Sequence, residues 1–238
     1  MKKLNVDAVV LDLRHLTEET LAAYDQCEMD AVFALTNPQA QALLNQYGVK
    51  LDVVQSIHCE EDVETTTING KATLDGTSIP EKKRVMVVNG KLSVKPDGVK
   101  ALEQYCGIVI NGKLYCPESL ASVVTAKCIM NGKLCLYPDD AVILNSTTRL
   151  DKMFLLRAQP KLYWAEKLFL AVDPKLDAEA LAAKGARFSS QKAILTERNA
   201  ETLAPLFTEE TELVILPEGT AVLDDDLELR AATLRRYG

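Results

Sequence analysis

The tripeptide Asn-Gly-Lys occurs four times, at Asn69-Gly70, Asn89-Gly90, Asn111-Gly112 and Asn131-Gly132, each with lysine next. The steps are 20, 22 and 20 residues. Asn and Gly both tolerate positive φ, so the pair marks a sharp change of chain direction. The residues C-terminal to the pair recur too: Lys91-Leu92-Ser93-Val94-Lys95-Pro96-Asp97, Lys113-Leu114-Tyr115-Cys116-Pro117-Glu118 and Lys133-Leu134-Cys135-Leu136-Tyr137-Pro138-Asp139. Each unit reads as a turn, a short apolar strand, Pro, an acid, and then apolar residues at helical spacing. Leu120, Val123 and Val124 show that spacing, as do Val99, Leu102 and Cys106. A chain that repeats at this period is constrained to stack similar units.

The flanks carry the unit in weaker form. Ala8–Leu13 reads as a strand before a helix capped at Thr17, with Glu18 and Glu19 in its first turn. Ala31–Leu35 precedes an Asn37 cap, Pro38 at the first helical position and Gly48 as a stop. Later, Lys167–Val172, Ala193–Thr196 with an Asn199 cap, and Leu213–Leu216 repeat the theme. Units therefore begin near residues 8, 31, 52, 71, 91, 113, 133, 167, 192 and 212. These steps are mostly shorter than the roughly 30 residues of a βαβ crossover. The expected fold class is an α/β repeat solenoid over residues 1–238, a single elongated domain. It would have short parallel strands and a helix or turn in each of about ten coils.

Leucine-rich repeats occupy the same period range. The chain resembles them in having a strand and a helix or turn per coil over nearly all of its length. It departs from them in placing Asn before the strand. In the stacked reading, Asn69, Gly70, Asn89, Gly90, Asn111, Gly112, Asn131 and Gly132 are structural turn and ladder residues. Lys91, Lys113 and Lys133 form a column beside them, and Asp97, Glu118 and Asp139 an acidic column beyond the strand. A second resemblance leaves an alternative open. Asn111-Gly112-Lys113-Leu114-Tyr115 is similar to the hairpin units of choline-binding cell-wall repeats. That likeness implies an exported carbohydrate-binding module built from local hairpins.

Composition limits the functions. The net charge of −7 and pI near 5.0 disfavour nucleic acid and anionic membranes as partners. Aromatics make up 5% of residues, poor material for stacking bases or sugars. No apolar run approaches the ~20 residues of a membrane span, and Asp7, Asp12 and Arg14 interrupt any leader-like segment. The expected location is the cytoplasm, with six reduced cysteines.

Candidate chemistry is sparse. Cys106, Cys116, Cys128 and Cys135 are the weak candidates for a metal site. Their spacings of 10, 12 and 7 contain no Cys-x-x-Cys pair, and small buried side chains are the plainer reading. His15 and His58 are the two histidines. The runs Glu60-Glu61-Asp62 and Asp224-Asp225-Asp226 read as solvated loops. With no phosphate loop, nucleophile elbow or dinucleotide fingerprint, no catalytic residue and no cofactor are expected. The expected function is a non-enzymatic scaffold or protein-interaction repeat protein. It would be able to self-associate, because the chain ends at Arg235-Arg236-Tyr237-Gly238 without a polar cap. A solenoid enzyme acting on polysaccharide is a further alternative.

Overall fold

The computed structural model describes residues 1–59 and 63–220. The acidic runs 60–62 and 224–226 and the end at 235–238 lie outside the described residues. The chain divides into two compact units, Met1–Asp139 and Asp140–Gly238.

The first unit opens with β1 (Lys3–Asp12), α1 (Glu18–Ala22), β2 (Gln26–Thr36), α2 (Pro38–Gln46) and β3 (Lys50–His58). It continues with β4 (Glu64–Leu74), β5 (Arg84–Val94), α3 (Val99–Glu103), β6 (Tyr105–Pro117), α4 (Ala121–Lys127) and β7 (Cys128–Tyr137). Thr17 and Asn37 cap α1 and α2. The Asn37 carboxamide oxygen accepts from the Ala40 amide at 2.7 Å, and Gly48 leaves α2 at φ 59°.

The expectation of one solenoid is overturned. Among the described residues the strands belong to three separate parallel sheets, ordered β1-β2-β3, β4-β5-β6-β7 and, in the second unit, a sheet of five strands. The reason lies in the apolar faces. Val85-Met86-Val87-Val88 and Ile108-Val109-Ile110 are apolar without alternation and fully or almost fully buried, so these strands need cover on both sides. On one side Met86, Val88, Ile108 and Ile110 pack with Ala101 and Leu102 of α3 and Val124 of α4. On the other, Val85, Val87 and Val109 pack with Phe33 and Leu35 of β2. The sheet β1-β2-β3 is therefore folded face to face onto β4-β5-β6-β7, and α1 and α2 cover its far side through Leu21, Ala40 and Leu44. The unit is a helix–sheet–sheet–helix sandwich. The sheets approach closely at Gly107, where a Cβ would stand 2.2 Å from the Phe33 ring.

The Asn-Gly pairs also sit differently from the sequence expectation. They lie inside β4–β7, which begin some seven residues before the starts expected at 71, 91 and 113, and five before that at 133. Every pairing between these strands is parallel, so no Asn-Gly closes a local hairpin.

The second unit contains β8 (Val142–Ile143), β9 (Thr147–Arg149), α5 (Lys152–Arg157), β10 (Leu162–Ala171), α6 (Ala178–Ala183), β11 (Arg187–Thr196), α7 (Glu197–Leu203) and β12 (Glu212–Leu216). Its sheet runs β12-β11-β10-β8, with β9 also paired to β10. Phe188 is the hub of the core. Its ring lies 5.2 Å, centre to centre, from both Phe169 and Phe207, the distance at which aromatic pairs attract. Asn199 does not cap α7. It is buried inside that helix and donates from Nδ2 to the Ala171 carbonyl at 3.2 Å, while Thr196 takes the cap position.

Among the described residues no helix is long and apolar enough to cross a membrane. Because Phe33 fills the space between the two sheets of the first unit, Phe33→Ala is expected to destabilise the protein by about 3–5 kcal/mol in urea unfolding. A loss below about 1 kcal/mol would contradict the sandwich.

Candidate interaction surface

The repeated tripeptides stand in one register. Asn69, Asn89, Asn111 and Asn131 are successive partners across β4–β7, as are the four glycines and then Lys71, Lys91, Lys113 and Lys133. The Asn89 Nδ2 donates to the Asn69 Oδ1 at 2.8 Å, and the Asn111 Nδ2 to the Asn89 Oδ1 at 2.8 Å. These bonds run in one direction along the sheet, from β6 towards β4. Beside them the lysines face their neighbours at the strand spacing of about 4.8 Å, a like-charge row that strand pairing alone disfavours. One relief is visible: the Lys91 ammonium lies 3.8 Å from the centre of the Tyr115 ring.

Of the acids beyond the strands, Asp97, Glu118 and Asp139 are exposed, and the Asp139 carboxylate accepts from the Ser119 amide at 3.1 Å.

β7 and β4 are the two edges of this sheet, and among the described residues no strand pairs with the outer side of either; β4 is the longer of the two. Thr65, Thr67, Asn69, Lys71 and Thr73 make an exposed row along β4, while Leu74 is buried in the core. The strand is 11 residues long and pairs with β5 without a register shift. Its length and regularity leave it without the bulge, proline or brevity that usually blunts an edge. Reading the unit from residue 71 missed its first half, although Thr65-Thr66-Thr67 is a run of β-branched residues.

The four clustered cysteines do not gather at one point. Cys106 joins the packing between the two sheets, while Cys116 and Cys128 join the helix-covered core. Cys135 is buried on β7, in register with Tyr115. Burial pushes the Cys116 thiol up to about 11 and the Cys128 thiol up to about 12, so both stay protonated near neutrality. Among the described residues no three His, Cys, Asp or Glu side chains gather as metal ligands would. His15 sits in an exposed turn, and exposed His58 ends β3.

Two features of the second unit were not singled out by sequence. Glu166 is buried at 3% exposure on β10, and the Ser146 hydroxyl lies 3.4 Å from its Oε2. An acid within Tyr163-Trp164-Ala165-Glu166 was the available signal. A cleft of about 450 Å³, lined in part by Arg149, Asp151 and Asp173, opens past the C-terminal end of β10.

The glycines of the ladder differ in a testable way. A Cβ on Gly112 would lie 2.0 Å from the Gly90 carbonyl oxygen, whereas one on Gly70 meets open space. Both have positive φ, 145° and 123°. Gly112→Ala is expected to cost about 3 kcal/mol or more, from strain plus collision, and Gly70→Ala about 1 kcal/mol, from strain alone. Equal losses in urea unfolding would contradict the close approach of the strands. Comparison with protein families, curated proteins and solved structures found no match to this chain.

Proposed function

We propose that the protein is a non-enzymatic interaction module that takes a strand from a protein partner, including a second copy of itself, along the outer edge of β4. The observation that carries this reading is the regular 11-residue edge with no strand on its outer side among the described residues. Unengaged strand edges bind extended chains through main-chain hydrogen bonds, and the side chains of the edge set specificity. Here the specificity elements are Thr65, Thr67, Asn69 and Lys71. The carboxamide oxygen of Asn69 already accepts from Asn89, and in this reading its amide group serves the incoming strand.

The net charge of −7 argues against nucleic acid and anionic membranes as partners. The reading places the chain in the cytoplasm, a reducing compartment suited to six cysteines held as thiols. The cell-wall alternative loses support, because its hairpin units have no counterpart in the parallel strands.

Sedimentation of the full chain over a wide concentration range tests the self-association. Reversible association is expected, and Thr65→Lys/Thr67→Lys is expected to weaken it at least about tenfold, or about 1.4 kcal/mol. Both positions are exposed, so folding should be preserved. A chain that stays monomeric throughout, or a double variant that associates like the parent, would overturn the self-association.

A further inference from the structure

Cys106 occupies an unusual position in the sheet. Arg84 pairs with Tyr105 and Val85 with Gly107, so Cys106 is the extra residue of a β-bulge. A bulge re-aims the side chains around it. The effect is visible in the packing. Tyr105 and Ile108 face the helix-covered core, although their numbers differ by three. Cys106 faces the opposite sheet. There it packs in the same cluster as Cys59, which lies just past the end of β3, and the Cys106 thiol is one of the neighbours that raise the Cys59 pKa. Cys59 follows β3 of one sheet and Cys106 lies in β6 of another, 47 positions apart in sequence (106 − 59). Packing alone requires neither a bulge nor a second sulfur at this point.

We propose that Cys59 and Cys106 are a dithiol site that closes to an intramolecular disulfide by exchange with a low-molecular-weight disulfide such as oxidised glutathione. Cys106 is half-buried and Cys59 is 9% exposed, so a small reagent meets Cys106 first. The Cys106 thiolate attacks one sulfur of glutathione disulfide. The S–S bond of the reagent breaks, and the released glutathione thiolate takes up the proton that Cys106 lost. The Cys59 sulfur then attacks Sγ of Cys106 in the mixed disulfide. The second glutathione leaves and takes the Cys59 proton. Two protein thiols are oxidised, and one glutathione disulfide is reduced to two thiols.

The surroundings fit this order of steps. Burial holds the Cys59 thiol above its ordinary range, with Cys106 as the next cause, while the positive charges of Arg14 and Lys83 oppose the shift. Cys59 is therefore the resolving thiol rather than the first nucleophile. The product would join the end of β3 to the bulge of β6 and tie the two sheets together.

The test is peptide mapping of the full chain under non-reducing conditions after incubation with oxidised glutathione. The expected result is one crosslink between the Cys59 and Cys106 peptides, a loss of about 2 Da and no retained glutathione. The unfolding midpoint is expected to rise by about 5 °C or more, reversed by reductant. Cys59→Ala should trap glutathione on Cys106, whereas Cys27→Ala should still form the crosslink. If Cys59→Ala fails to fold, the map of the parent chain decides. Glutathione retained on either cysteine of the parent, a crosslink between other cysteines, or no reaction would each overturn the proposal.

Discussion

The first unit depends on strands that are apolar on both faces. A strand with one apolar face is satisfied by a single layer of helices, and its other face meets water. Val85, Val87 and Val109 rule out that arrangement for β5 and β6, because water on that face would leave three apolar side chains exposed. The helices α3 and α4 serve the opposite face. The remaining cover comes from β2, through Phe33 and Leu35, and Gly107 gives the Phe33 ring its room. The chain crosses from one of these facing sheets to the other between β3 and β4.

Within the sheet β4–β7 a different constraint fixes register. The carbonyl oxygen of each ladder glycine lies where the next glycine's side chain would stand, 1.8–2.1 Å from a hypothetical Cβ. Glycine must therefore succeed glycine across these strands, and a slip of one residue would place Asn or Lys in that space. The hydrogen bonds between Asn69, Asn89 and Asn111 require the same alignment. Side-chain ladders and close backbone contact thus select one pairing among four similar strands, at a cost set by the lysine row that the alignment brings together.

Much of the local order was legible in the sequence. The alignment of Asn69 with Asn89, Asn111 and Asn131 could be read from recurrence at steps of 20, 22 and 20. The Thr17 and Asn37 caps could be read from side chains able to accept from unbonded amides. The three-sheet arrangement was not read, because the repeat period describes neighbours in a stack and carries no information about which stack faces another. That information lay in the unalternating run at Val85–Val88, which precedes the unit start expected near residue 91. The edge character of β4 was missed for a related reason. Its first half is Thr-rich and lacks the apolar signal that marks its relatives. The meeting of Cys59 and Cys106 depends on a one-residue bulge and on sheet-to-sheet packing, neither of which leaves a spacing signature.

The central claim, that β4 is a working edge, is tested most directly by hydrogen exchange along the chain at low and high protein concentration. The account predicts strong protection of β5 and β6 at both concentrations. In β4, the amides on the outer side should exchange freely when the protein is dilute and become protected when it is concentrated. Equal protection of β4 at both concentrations, or concentration-dependent protection confined to other strands, would contradict it.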